Sequence, residues 1–429
     1  MPIHRVSKYF LVGSAMIGLA ACSVDSDPAD DKSASSQQSK AAETSAPVNN
    51  SSILPVGQGG GDASLQTTLG EAPPEGSMPL EIEVLASGLS FPWSLSVVSE
   101  DLMLVTERTG QIRFIKNGKL DDVPISGGPT PFTGFHAGYL EILPHPDFEK
   151  NGQVYLSYAH GTLKNNTLRI GRGNINDHVL ENFEVIYETF PARDDELHYG
   201  GKMTWGPDGK LYVSIGADDR ERAQDVFSSD GAIIRLNADG SIPSDNPEWS
   251  AGPARPELFS KGHRNPQGLV FDDDTGALLS HEHGSFLGDE LNIIQPGGNY
   301  GWPLASFGVE YSGDQITPYT EVEGTIQPIR YWSVPTGVSG MAIYQGSEFP
   351  EWQGDILFGG LRDMTLHRLD REAGKIVGEE VYLYDRARKI RDVRVGKSGA
   401  IYVVTTDENG SDEHNGEVIR ITRGTDQEQ

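Results

Sequence analysis

The sequence predicts an all-β fold, a six-bladed β-propeller behind a disordered N-terminal tether, and three observations lead there. A rough unit recurs six times: a polar turn, often Asp-Gly or Asn-Gly, then an alternating apolar strand, then a Gly-containing turn. Period-two alternation dominates, as in Leu211-Tyr212-Val213-Ser214-Ile215 and Ile401-Tyr402-Val403-Val404, and few stretches show a 3.6-residue period. With 51 Gly and 26 Pro in 429 residues and 37% hydrophobic content, the chain suits many short strands better than long buried helices.

The N-terminus is read as an export signal. "MPIHRVSKYFLVGSAMIGLAACS" has a basic start at His4, Arg5 and Lys8, then an apolar stretch too short for a comfortable membrane span. Its "LAAC" ending resembles a bacterial lipobox, in which Cys22, the only cysteine of the chain, becomes the lipidated first residue of the mature protein. Residues 1–22 are therefore expected to be a lipoprotein signal peptide. By the sorting pattern of such lipoproteins, Ser23 in place of Asp points to the outer membrane, with the protein on the periplasmic side. Residues 23–78, rich in Ser, Ala, Asp, Gln and Gly, cannot bury enough apolar area to offset their ordering entropy and read as a flexible tether. The "GQGGGD" within them has no strand before it and no helix after it, so it is linker and not a dinucleotide loop.

Residues 79–424 carry the propeller. Its repeats are "SEDLMLVTERTGQIRFIKNGK", "NGQVYLSYAHG", "GPDGKLYVSIGAD", "DTGALLSHEHG", "QGDILFGGLRDMTLHRLD" and "KSGAIYVVTTDENG". Their uneven spacing implies insertions in the loops. "LEIEVLASGL" near the start and "GEVIRITRG" at the end are expected to pair within one blade and close the ring. In such a ring, residues far apart in sequence converge where loops meet at one end of the central channel.

Chemistry-bearing residues stand at equivalent places in the repeats. His136 precedes the second, His198 the third, Arg264 and Asn265 the fourth, and Lys389 and Arg391 the sixth, while Arg362 follows the strand of the fifth. Four cations, Arg264, Arg362, Lys389 and Arg391, around a potential base, His198, make a pocket for a polyanionic, oxygen-rich ligand. Asp289 and Glu290, with glycine turns at Gly284 and Gly297-Gly298, supply the carboxylates and carbonyls that calcium takes. Zinc through His281 and His283 is the competing metal reading. The formal charge of −28 argues against a nucleic-acid partner.

"HAGYLEILPHPDF", "HYGGKMTWGPDGKLYVSIGAD", "ELFSKGHRNPQGLVFDD", "HEHGSFLGDELNIIQPGGNYGWP" and "IRDVRVGKSGAIYVV" together resemble the soluble quinoprotein aldose/glucose dehydrogenases of the glucose/sorbosone dehydrogenase family. The resemblance covers roughly residues 80 to 424, and its HRNPQG and NYGWP segments are the distinctive ones. It implies a six-bladed propeller binding pyrroloquinoline quinone (PQQ) and calcium. His198 stands where the family has its general base, and Arg264 and Asn265 where it binds the quinone. Arg362, Lys389 and Arg391 match the cations that meet the cofactor's carboxylates. Carbonyls of Gly284 and Ser285 match the calcium that touches the quinone, and Asp289, Glu290 and the Tyr300 carbonyl a second calcium. The implied reaction oxidises an aldose at C1 to a lactone, with electrons passed to an external acceptor.

Three departures bear on selectivity for the sugar. Leu197 stands where some members have Asp, His136, at the cofactor pocket, where the glucose-oxidising branch has Gln, and Lys389 where that branch has Arg. A non-catalytic propeller binding module and a calcium-dependent lactone hydrolase are the alternatives. The first is disfavoured by His198 and the HRNP loop, the second by the three cations suited to a tricarboxylate.

Overall fold

A computed structural model describes residues 72–425, apart from 218–219, 250–251, 253 and 408–413. The export signal, Cys22 and most of the tether lie outside the described residues.

Six sheets make the six blades, antiparallel throughout except for one short parallel strand added to the third. Their inner strands are Pro92–Ser99, Tyr139–Pro144, Gly200–Trp205, Pro266–Phe271, Val338–Ile343 and Lys389–Val395, in blades I to VI. Each sequence repeat contains the second strand of its blade, for example Leu211–Ile215 in blade III and Ile401–Thr406 in blade VI. Both faces of such a strand are buried. Leu211, Val213 and Ile215 pack with Tyr155, Leu168 and Ile170 of blade II, while Tyr212 packs with Leu269 and Leu278 of blade IV. The alternation thus sorts side chains between two neighbouring blades and not between core and water.

The ring closes as the sequence predicts. Leu80–Leu89 pairs antiparallel with Gly416–Arg423, Val84 opposite Ile419, as the outermost strand of blade VI. The two chain ends thus share one sheet, which leaves no gap in the ring. The domain begins slightly earlier than residue 79. Glu75 bridges to Val381, Gly76 N donates to Val381 O at 2.8 Å, and Met78 packs on the core of blades V and VI. Pro74 to Met78 therefore belong to the propeller.

Every inner strand has a register shift at its first residues, where it leaves the pocket end. A bulge turns an extra side chain off the ladder. Trp93, Gln267 and Arg391 occupy such positions, as do Glu141 and Lys202. Below them the channel is plugged by charge: Lys202 Nζ lies 2.9 Å from both Glu141 and Asp392, and Arg394 reaches the same two carboxylates at 2.5 and 3.0 Å. Gly340 makes room for this plug, because a Cβ there would collide with Asp392.

Candidate active site

Above the plug, at the end where the inner strands begin, is a cavity of about 390 Å³. His136, Asn265, Arg362, Lys389 and Arg391 line it, joined by Arg108, Gln267 and His283, with Trp93 on its wall. Among the described residues, no Asp or Glu lines it. Arg362 sits over the Phe286 ring at 4.7 Å and Arg391 over Trp93 at 4.6 Å, aromatic supports that place the charges without neutralising them. Burial and the nearby Arg108 pull the Arg391 guanidinium down to about 10, an environment that favours an anionic guest.

The HRNPQG segment builds one wall by a chain of hydrogen bonds. Arg391 Nη2 donates to Gln267 Oε1 at 2.8 Å, and Gln267 Nε2 donates to Asn265 Oδ1 at 3.0 Å. Asn265 Nδ2 then meets His283 Nδ1 at 3.4 Å. His283 Nε2 donates to Val338 O at 2.6 Å, so Nδ1 is left as the acceptor. Burial, Arg264 and Arg391 hold His283 well below the usual imidazole range, in agreement with a neutral ring. Pro266 has no N–H, which leaves the strand's first position free for the bulge that aims Gln267 inward.

His136 lines the cavity, and the His198 ring lies behind it at 5.8 Å, outside the lining residues. The His198 N–H points to His136 Nδ1 at 3.3 Å. His198 has φ +50°, a left-handed conformation costly for a residue with a Cβ. Arg193 holds it there: Nη1 donates to His198 O at 2.9 Å, while the same guanidinium is locked on Asp230 at 2.6 Å. Burial, with the neighbouring His198, Arg391 and Arg108, pushes His136 down to about 3, so it is neutral.

Arg264 faces a second, smaller cavity of about 10 Å³, the size of one water or ion. Glu282, Gly284, Glu290 and Tyr300 share its lining. The Arg264 guanidinium donates to the Gly284 carbonyl and lies 5.4 Å from the Trp302 ring centre. Glu282 and Glu290 are cross-strand partners, and burial together with Glu282 raises the Glu290 carboxyl well above its usual range. Tyr300 arrives because Gly298–Asn299 pairs parallel with Leu258–Lys261, carrying the NYGW turn across to blade III.

Not all the expected metal ligands meet. Asp289 is a correction: its oxygens accept from the N–H groups of Gly284, Gly337 and Val338 at 2.9, 2.7 and 3.0 Å, so it clamps backbone. Adjacent strand residues face opposite sides, and Glu282 stands in its place beside Glu290. For the zinc alternative, the Nε2 atoms of His281 and His283 are already bound to the carbonyls of Ser339 and Val338, and only the Nδ1 atoms remain.

Arg108, Arg193, Gln267 and Glu282 are the site residues that the sequence reading left out. Gln267 had a signal, its place in the HRNPQG segment. Arg108 sits in a Thr-Glu-Arg-Thr-Gly turn that looks like any hairpin, and Arg193 meets Asp230 only through the fold.

The glucose/sorbosone dehydrogenase family model matches residues 89–420. Aldose sugar dehydrogenase YliI of Escherichia coli is 35% identical over 350 residues, which are 80% of this chain and 93% of that protein. Quinoprotein glucose dehydrogenase B of Acinetobacter calcoaceticus is 26% identical, over 77% of this chain and 86% of its own. The PQQ-bound form of the aldose sugar dehydrogenase from Streptomyces coelicolor superposes with a TM-score of 0.66 at 26% identity, covering 82% of this chain and 100% of that one. The chain belongs to the glucose/sorbosone dehydrogenase family and is an oxidoreductase acting on sugars.

Proposed function

We propose that the protein oxidises aldose sugars at C1 to lactones with PQQ and calcium, passing the electrons to an external acceptor. The observation that carries this reading is the larger cavity, lined by four cations and, among the described residues, by no carboxylate, with His136 in its lining and His198 adjoining it. PQQ brings three carboxylates and a planar quinone. Arg362, Lys389 and Arg391 would hold the former, and Asn265 and Arg264 offer hydrogen bonds to the latter. Lys389 acts as a point charge where a bidentate fork would bind more rigidly. When bound, the quinone would supply the two-electron acceptor chemistry for the C1 hydrogen.

The chain's own residues handle the proton and the charge. His198 accepts the C1 hydroxyl proton, a task suited to an imidazole nitrogen. Arg193 keeps its backbone in place through the left-handed turn. Arg264 would stabilise negative charge developing on the ligand side. For calcium, the smaller cavity offers a suitable hard donor set, with Glu282, Glu290 and the Tyr300 carbonyl; a divalent cation would offset the repulsion between the two buried carboxylates. Gly284, whose carbonyl meets Arg264, and Ser285 would add carbonyls on the quinone side. The protein would work on the periplasmic side, tethered to the outer membrane through lipidated Cys22.

Two variants test the reading. His198→Ala removes only the base, so sugar-driven reduction should slow about a hundred- to ten-thousand-fold with quinone retained. Arg264→Ala should weaken quinone binding by about 1.5–3 kcal/mol as well as turnover. Quinone absorbance after gel filtration, read beside single-turnover reduction, separates them. Full activity in His198→Ala overturns the reading.

A further inference from the structure

The larger cavity has one cation more than a tricarboxylate cofactor can use. Arg362, Lys389 and Arg391 match three carboxylates, and Arg108 remains. Arg108 lies in the turn between Leu102–Glu107 and Gln111–Lys116 of blade I. Its Nη1 donates to Phe135 O at 2.6 Å, and its guanidinium sits 5.0 Å from the Phe91 ring centre. No ion pair joins it to a carboxylate among the described residues. Burial holds its pKa below the ordinary guanidinium value, the mark of a charge that has lost water without gaining an anion.

Its position ties it to the sugar side. Arg108 grips the carbonyl of Phe135, and the Phe135 ring stacks on His136 at 4.7 Å. His136 in turn adjoins His198. In a pyranose, C5 is separated from C1 only by the ring oxygen. A sugar with its C1 hydroxyl at His198 therefore carries its C5 substituent on the same side of the cavity, within reach of the wall that Arg108, Phe135 and His136 build. We propose that Arg108 is a specificity-determining residue that makes the cavity favour aldoses bearing a carboxylate, of the uronic acid type. The proposal rests on the sugar-oxidising reading of this cavity. The chain's net charge of −28 gives it a physical purpose: such a surface repels acidic solutes, and a local cation focus is what admits one.

The test compares D-glucuronate with D-glucose on quinone-loaded protein. Methyl β-D-glucuronoside and methyl β-D-glucoside, whose C1 oxygens are blocked, serve as dead-end inhibitors. Wild-type kcat/KM should favour glucuronate at least about tenfold, and the glucuronoside should inhibit about tenfold more tightly than the glucoside, the scale of one charge-assisted hydrogen bond. Raising the salt concentration should narrow both ratios. Arg108→Gln should bring them toward one, and Arg108→Lys should restore part of the preference. Equal wild-type ratios, a salt-independent preference, or an unchanged ratio in Arg108→Gln would each overturn the proposal. So would loss of quinone from Arg108→Gln, which would make Arg108 a cofactor contact. If no aldose is oxidised yet the glucuronoside still raises the melting temperature through Arg108, the dehydrogenase reading fails and the acidic-sugar site stands.

Discussion

Changing Lys202→Met removes one of two cations from the plug beneath the cavity. Lys202 is 3% exposed and sits 2.9 Å from both Glu141, 1% exposed, and Asp392, fully buried. In the intact protein two carboxylates face two cations, and the group is neutral. Burial drives the Asp392 carboxyl up, but Arg394, Lys202 and the Leu95 N–H outweigh it and hold the group below its ordinary value. Met fills much of the lysine stem's volume and keeps contact with Trp93, whose ring centre lies 4.5 Å from Nζ. What remains is one buried carboxylate too many. Breaking a buried pair on one side costs about 3–5 kcal/mol. With an unfolding entropy of about 2.1 cal/mol/K for each of roughly 350 residues, that lowers Tm by about 4–7 °C. Differential scanning calorimetry at neutral pH reads the shift. The double variant Lys202→Met/Asp392→Asn restores neutrality and should recover at least half of the loss, because the Asn oxygen still accepts from Leu95 N at the present 2.8 Å. A single variant melting within about 1 °C of wild type, or a double variant whose loss is the sum of the singles, would refute the coupled-charge account.

His367 should make the protein's stability depend on alkaline pH. It is fully buried between Asp363 at 2.7 Å and Glu379 at 3.0 Å; burial opposes its charge, but the two carboxylates prevail and raise it to about 9. Its contribution is complete below about pH 6.5 and is lost as pH rises through about 9, so wild type should lose about 2–3 kcal/mol between pH 7 and 10, and His367→Gln clearly less, in urea titrations. A calcium chelator should lower the melting temperature and weaken quinone retention, because a ligand that binds only the folded state stabilises it by mass action; an unchanged melt and full activity would remove calcium from the account. A fragment beginning at residue 72 should fold and oxidise sugar, whereas one beginning at 79 should melt lower, having lost the Glu75–Val381 bridge and the Met78 contact; equal melts would place the boundary back at residue 79.

The strands, the number of blades and the closing pair are legible in the chain, because period-two alternation and turn residues are local and each repeat carries them. Seven site residues are legible too, from His136 to Arg391, because polar groups stand out at the mouths of apolar strands and the repeats say that such places converge. Tertiary structure decided everything that depends on register. Asp289 and Glu290 are neighbours with the same chemistry in the chain, yet the pairing of Glu290 opposite Glu282 turns one toward the cavity and leaves the other clamping Gly337 and Val338. Arg193 reaches Asp230 and His198 only because blades fold back on one another, and Arg108 becomes a cavity cation only because blade I stands next to the Phe135 loop. Residues within a strand report which face they share; which neighbour that face meets is set by long-range closure of the ring, and no local pattern encodes it.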